Sequence, residues 1–517
     1  MFIEYLDRGL GIDPEATCIV RADGSLGLTH REFADLTHRV AVGLHQRGLG
    51  NGGKVAVFAP NGPLGYAAVV GVIRAGAGWV ALNPKSEENE LTQLLALLEC
   101  DFMIHSAAYR ERAEALLART PGIEGSVMFG DDELGAEFEA WLGEPGERAP
   151  ALAHDPERKL MFLGSGGTTG LPKAITLSDR QFCTMSLGFN AHMKEQPRPT
   201  YLMATPMTHA AGTVGFPTLG EGGTIVVHDG VVPATVLDSI ERNRVTRLFL
   251  PPTAIYVLLA DPAVRERDYS SLRHFLYAAA PMSADKLVEA IDVFGAVMAQ
   301  CFGQSEAPML ATYMSPAEHA EALADPEKRG RLASCGRQSM ICAVAIMDDD
   351  GNLLGDGEHG EIVLRGDLVM KEYYENPEAS AEVRRPGGWH GTGDIGYRDA
   401  DGFFYIVDRK RDMIISGGFN VFPSEVERVI WAHADVLDCA VIGIPDEKWG
   451  EAVTAVVERK PGTGVEEAEL IALCKEQLGS IKAPKSVHFR ELPRSTQGKV
   501  LKRKLRDEFW AGHERQV

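Results

Sequence analysis

Between about residues 50 and 310, short apolar runs alternate with stretches whose apolar positions recur every three to four residues. Val55–Ala59, Trp79–Leu82, Phe102–His105, Ile225–His228, Leu248–Leu250 and Phe275–Ala278 are predicted to be buried strands. Leu64–Arg74, Glu87–Glu99, Val236–Asn243 and Ser283–Phe294 are predicted to be helices. Such alternation implies an α/β fold of doubly wound sheets, covered by helices on both faces. From about 332 to 410 the pattern changes. Cys342–Met347, Gly360–Leu364 and Gly402–Val407 are separated by the turn signals Asp350-Gly351, Asp356-Gly357 and Asp401-Gly402, which predicts a small antiparallel sheet or β-barrel. Beyond Arg411 a helix near Pro423–Ala432, strands at Val436–Ile444 and Val453–Glu458, and a helix at Glu466–Gln477 predict a smaller α+β domain. The stretch 110–158 carries no clear pattern and reads as a surface excursion.

The chain has 517 residues, enough for several folding units. Its formal net charge of -21 repels nucleic acid and anionic membrane surfaces, so neither is expected as a partner. The same charge means that an anionic ligand needs locally placed cations. Eight scattered cysteines with no C-x-x-C pair fit a reducing compartment and free, buried thiols. The N-terminus has acidic residues where a signal peptide needs basic and apolar ones. The longest uncharged stretch, between Lys54 and Arg74, is interrupted by Pro60, Gly62 and Pro63. No integral membrane segment is expected, and the cytoplasm is the expected location.

The first chemical signal is Ser165-Gly166-Gly167-Thr168-Thr169-Gly170-Leu171-Pro172-Lys173, directly after the apolar run Leu160–Leu163. Glycines let backbone N–H groups turn toward an anion, hydroxyls add donors and Lys173 adds a cation, a set suited to a triphosphate. The spacing is neither a Walker A loop nor G-x-G-x-x-G, and a Gly/Ser/Thr run by itself is as often a plain surface loop.

This segment resembles the phosphate loop of the adenylate-forming superfamily, which includes acyl- and aryl-CoA ligases, luciferases and adenylation domains of peptide synthetases. Gly166 stands where Ser is usual, and Ala174 replaces the closing Gly. Further segments resemble that family in its own order. Pro206-Met207-Thr208-His209-Ala210-Ala211-Gly212 is similar to the stretch bordering the acyl pocket, with Thr208 at an often aromatic position. Phe302-Gly303-Gln304-Ser305-Glu306 is similar to Y-G-x-T-E, with Phe302 for Tyr and Ser305 for Thr. Trp389-His390-Gly391-Thr392-Gly393-Asp394 is similar to W-x-x-T-G-D, and 408–427 to the interdomain segment. Pro493–Val500 is similar to the motif carrying a mobile lysine, here Lys499, beside the basic cluster Lys502, Arg503, Lys504 and Arg506. Alone, that cluster reads as a solubilising tail. The resemblance spans about residues 25 to 505, nearly the whole chain.

The resemblance implies an N-terminal adenylation domain over 1–408, with sheet subdomains to about 330 and a barrel over 331–408. It implies a hinge at 409–411, with Arg411 at the hinge position, and a mobile C-terminal lid over 412–517. It implies ATP contacts from Ser165, Gly166, Gly167, Thr168, Thr169, Gly170, Lys173, Phe302, Gly303, Gln304 and Ser305, ribose contacts from Asp394 and Arg409, and Mg²⁺ on Glu306. Lys499, Glu306, Thr168 and His209 are the implied catalytic residues. Ser416, Gly417 and Gly418 are implied beside coenzyme A; His209, Ala278, Ala279, Ala280, Gly303 and Met309 are implied around the acyl group. The implied reaction is ATP-dependent activation of a small-molecule carboxylic acid as its acyl-AMP, then transfer to coenzyme A, by a monomer or homodimer. Coenzyme A is favoured because Thr205–Gly212 contains no acid to pair a substrate amine, and no carrier-protein signature follows the last domain. An amine or carrier-protein acceptor, or an inactive nucleotide-binding relative, are the alternatives.

Overall fold

The computed structural model describes residues 1–165, 173–194, 198–446, 448–494 and 500–510. The chain gathers into two compact units. The first comprises Met1–Val344, Leu364–Arg384 and Gly388–His390; the second comprises Ala345–Val363, Arg385–Gly387 and Gly391–Val517.

The first unit is built on two sheets. One runs in the order Gly125–Phe129, Phe102–Ser106, Lys54–Phe58, Gly78–Ala81, Lys159–Ser165 and Lys173–Ser178, all parallel except the last. The other has nine strands, in the order Arg337–Gln338, Ala307–Met314, Met298–Gln304, His274–Tyr277, Arg247–Leu250, Thr200–Met203, Thr224–Val227, Thr17–Arg21 and Gly27–Thr29. Its central strands, from Met298–Gln304 to Thr17–Arg21, pair parallel. The central strands are mostly apolar, as burial on both faces favours, and the fully buried Arg247 is paired with Glu221 at 3.2 Å. The helix Pro63–Arg74 is buried at every position and touches strands of both sheets. Pro63 at its first position loses no hydrogen bond, because that N–H has no intrahelical partner. The prolines and glycine that argued against a membrane span therefore start a core helix. Among the described residues no helix is long and apolar enough to cross a membrane.

The stretch 110–158 is not a surface excursion. It supplies the helix Arg110–Arg119, the edge strand Gly125–Phe129 and the short helix Ala136–Trp141. Phe138 and Trp141 are buried and stack with ring centroids 5.6 Å apart, and Trp141 stacks on Phe102. These anchors are spaced irregularly among charged residues, so no helical or strand period shows in the sequence.

The second unit holds most of a five-stranded sheet, in which Trp389–Arg398 pairs antiparallel with Phe404–Arg409. It also holds a sheet in the order Phe419–Val421, Ile414–Ser416, Gly450–Arg459 and Val436–Asp446, with Ser486–Phe489 on Gly450–Arg459. Alternation along the two long strands sorts their side chains. Val441, Val453, Ala455 and Val457 pack with Val426, Ile430, Leu470 and Cys474 of the helices Pro423–Trp431 and Glu467–Lys482. Ala440, Ile442 and Val456 pack on the opposite face with Leu505 of Lys502–Phe509. The helix Glu467–Lys482 breaks at Gly479, where φ is 79°. All eight cysteines are free, and every one except the half-buried Cys183 is buried.

Candidate active site

Three candidate segments in the first unit leave the carboxyl ends of parallel strands of one sheet, where open α/β sheets hold their ligands. Thr200–Met203 leads to His209, His274–Tyr277 leads to Ala278–Ala280, and Met298–Gln304 carries Phe302–Gln304. His209 sits immediately before the helix Ala210–Gly220, and its Nδ1 lies 3.0 Å from the Thr208 hydroxyl. Ala278 is buried, whereas Ala279 is exposed with φ at 73°. A non-glycine residue in the left-handed region is strained, and such strain concentrates at functional sites.

Ser305 and Glu306 form the tight turn between Met298–Gln304 and Ala307–Met314, with Gln304 opposite Ala307. The register jumps between Phe302 and Gln304, so Gly303 sits in a bulge. A Cβ at Gly303 would lie 2.6 Å from Met309 N and 2.7 Å from the Ala307 carbonyl oxygen, so the bulge admits only glycine there. Met309 completes it with φ at 65°. Two of the implied acyl-pocket residues, Ala279 and Met309, thus carry the strained backbone of this region.

Ser165 ends one strand and pairs across the ladder with Lys173, which begins the next. This antiparallel pair brackets Gly166, Gly167, Thr168, Thr169 and Gly170, which lie outside the described residues. Lys173 Nζ is 3.1 Å from Glu382 and lies 5.4 Å from the centroid of the Tyr373 ring. With Glu382 mostly exposed, that ion pair is worth about 0–1 kcal/mol and yields readily to a stronger anion. The Tyr373 hydroxyl donates to Glu306 Oε1 at 2.8 Å. Burial pushes the Tyr373 phenol up, and the neighbouring Glu306 carboxylate adds to the shift, so it stays a donor at any working pH. Among the described residues no group of three or more metal-binding side chains occurs. One hard carboxylate, Glu306, fits an ion whose remaining positions come from phosphate and water, as Mg²⁺ prefers. It does not fit a metal held by protein ligands alone.

In the second unit Asp394 and Arg409 face each other across an antiparallel ladder. Arg409 Nε is 2.6 Å from Asp394 Oδ1; the carboxylate is buried and the guanidinium half exposed. A buried carboxylate with an oxygen edge beside a cation is a suitable acceptor for two vicinal ribose hydroxyls. Arg411 is exposed in the short 3-10 turn Lys410–Asp412. Ser416 is buried. Gly417 and Gly418 form a two-residue hairpin turn between Ile414–Ser416 and Phe419–Val421, with φ of 60° and 80°. Positive φ at both central positions is what such a turn demands, so the glycine pair has a backbone reason of its own. Lys499 lies outside the described residues.

Sequence reasoning missed a charged cluster in this unit. Lys502 Nζ is 2.7 Å from Glu427 Oε1, and Glu427 also accepts from Val441 N–H at 2.7 Å. Asp408, buried nearby, accepts from Ser424 N–H at 2.8 Å and Arg409 N–H at 2.7 Å. Burial pushes both carboxyls up, and the Lys502 ammonium pulls them back. Lys502 is therefore an internal counter-ion rather than part of a solvated tail. Its sequence signal was masked by the other basic residues around it. Tyr373 was missed too, since Lys371-Glu372-Tyr373-Tyr374 carries no motif chemistry.

Residues 7–374 match the AMP-binding enzyme family, and residues 425–499 match the AMP-binding enzyme C-terminal domain. The chain is 35% identical to the medium/long-chain fatty-acid–CoA ligase FadD8 of Mycobacterium tuberculosis, with 96% of this chain and 88% of that protein covered. It is 34% identical to a feruloyl-CoA synthase from Amycolatopsis, with 97% and 98% covered. Among solved structures, the amide bond synthetase McbA of Marinactinospora thermotolerans superposes with a TM-score of 0.88 at 30% identity, with 98% and 100% covered. With the family matched over most of its length, this chain belongs to the AMP-binding enzymes, in the acyl-CoA ligase branch of the adenylate-forming superfamily.

Proposed function

We propose that the chain joins a free carboxylic acid to coenzyme A in two steps that share one active site. In the first, a carboxylate oxygen attacks the α-phosphorus of ATP; the bond to the bridging oxygen breaks and pyrophosphate leaves. In the second, the coenzyme A thiolate attacks the acyl carbonyl of the mixed anhydride and AMP leaves. The observation that carries this reading is the grouping of Lys173, Tyr373 and Glu306 beside the strand pair that brackets the phosphate-loop sequence.

The first step brings two anions together, so cations must neutralise the approach. In this protein of net charge -21 they have to be placed locally. Lys173 and the donors of Ser165 to Gly170 are assigned to the β,γ-phosphates, and Glu306 to Mg²⁺, which supplies positive charge at the phosphates when bound. Lys499 is assigned to the attacking carboxylate, Phe302, Gly303, Gln304 and Ser305 to the adenine and phosphate, and Asp394 with Arg409 to the ribose. His209, Ala278–Ala280, Gly303 and Met309 are assigned to the acyl group. The small side chains of Ala278–Ala280 suit an aryl, alicyclic or medium aliphatic acid.

Once acyl-AMP is made, Lys499 obstructs the thiol. A rotation about 409–411 is proposed to withdraw it and to bring Ser416–Gly418 toward the pantetheine arm. Free, mostly buried thiols support placing the enzyme in a reducing compartment, the cytoplasm.

Separating the half-reactions tests the assignment of Lys499. Lys499→Ala is expected to lower acyl-AMP formation by at least about 10²-fold, while thioester formation from supplied acyl-AMP stays within about twofold of wild type. Equal loss of both would refute the role.

A further inference from the structure

Residues 370–374, which follow the strand Gly360–Arg365, fasten both to the turn at Glu306 and to the strand Lys173–Ser178. Met370 N–H donates to the Glu306 carbonyl at 2.7 Å, and Tyr374 N–H donates to the Ala174 carbonyl at 2.8 Å. Tyr373 forms an antiparallel bridge with Ile175. Its own N–H donates to the Ser380 hydroxyl at 3.0 Å, and Ser380 in turn donates to the Asn376 carbonyl at 2.7 Å. The Tyr373 backbone is thus fixed from both sides, and its side chain is only 6% exposed.

That side chain has two polar neighbours. The hydroxyl meets Glu306 Oε1, and the ring lies under the Lys173 ammonium. An aromatic ring attracts a cation at this distance. A phenol hydrogen-bonded to one carboxylate oxygen restricts the carboxylate's rotation and directs its second oxygen. Lys173 and Glu306 come from different sheets, and the Tyr373 side chain touches both.

We propose that Tyr373 is a positioning residue for acyl-AMP formation, holding Glu306 through its hydroxyl and Lys173 through its ring so that the two opposite charges meet the same triphosphate at a set spacing. This rests on the assignment of Glu306 to Mg²⁺ and of Lys173 to phosphate made above. Tyr373 touches no reacting atom. It acts by limiting how much reorganisation binding of the Mg²⁺–nucleotide pair requires.

The test uses the full chain with Tyr373→Phe, which keeps the ring and loses only the hydroxyl, and with Glu306→Gln as reference. Calorimetric binding of a non-cleavable ATP analogue is measured across a Mg²⁺ titration, beside both half-reactions and the thermal unfolding midpoint. Tyr373→Phe is expected to raise the Mg²⁺ needed for half-maximal analogue affinity and to slow acyl-AMP formation about 10–100-fold. Thioester formation from supplied acyl-AMP should stay within about twofold. Tyr373→Met, which fills the slot with a flexible apolar chain, carries the same test if phenylalanine is not tolerated, with both losses expected to be larger. An unchanged Mg²⁺ dependence in the tyrosine variants, or an equal fall in both half-reactions, overturns the proposal. If Glu306→Gln also leaves the Mg²⁺ dependence unchanged, the metal assignment of Glu306 fails with it. If Glu306→Gln abolishes that dependence and Tyr373→Phe does not shift it, only the role of Tyr373 fails.

Discussion

His319 shows what burial does to a single residue in this protein. Its Nδ1–H donates to the Ser315 carbonyl at 2.8 Å, leaving Nε2 to accept from the Tyr277 hydroxyl at 2.9 Å. Burial pushes its pKa down to about 4, against smaller upward pulls from Ser315 and Glu318. The folded value lies below the unfolded one, so the unfolded chain binds the proton more readily. The stabilisation is complete above about pH 6.5 and is lost as pH falls toward 4, an effect of at most about 3 kcal/mol. Urea unfolding between pH 7 and 4.5 is expected to show this decline, and His319→Gln is expected to flatten part of it. An unchanged slope in the variant would place the pH sensitivity elsewhere, for example at His38, which burial also pushes down to about 4. Residues of this kind divide sharply in how far sequence reveals them. Glu306, Asp394 and Lys173 stand in segments that resemble the family's motifs, and that resemblance singles them out. Tyr373 and His319 do not, because their roles come from neighbours distant in sequence, Glu306 for one and Tyr277 for the other.

Elements were legible where one period ran uninterrupted. The six predicted buried strands of the first unit and the helix Pro63–Arg74 fall within a residue or two of the apolar runs that predict them, whereas the parallel strands Thr17–Arg21, Thr200–Met203 and Met298–Gln304 were not predicted. The stretch 110–158 was illegible because its buried residues, Phe138 and Trp141, interrupt charged sequence without a period. The helix Lys502–Phe509 was hidden differently: four basic residues look like a solvated face, yet Leu505 enters the core and Lys502 reaches Glu427. Removing one partner of a mostly buried charge pair leaves the other uncompensated. Lys502→Met is therefore expected to destabilise the second unit by about 3–5 kcal/mol in denaturant unfolding. Lys502→Met combined with Glu427→Leu should recover much of the loss. A loss below about 1 kcal/mol for the single variant would mean that the cluster is solvated and contributes like a surface pair.

At the scale of the whole molecule, the two family matches cover most of the chain and place it among acyl-CoA ligases. In a chain of net charge -21 the proposed site needs local cations, and Lys173 and Arg409 stand at two of its proposed positions. The nature of the acid was not legible, because it depends on pocket shape rather than on any motif. The most direct measurement is pyrophosphate release with ATP, Mg²⁺ and a panel of aliphatic, alicyclic and aryl acids, each with and without coenzyme A. Sustained turnover that needs both one class of acid and coenzyme A, with AMP and the acyl-CoA formed in equal amounts, is the predicted result. Release that ignores coenzyme A but responds to an added amine or carrier protein would contradict it.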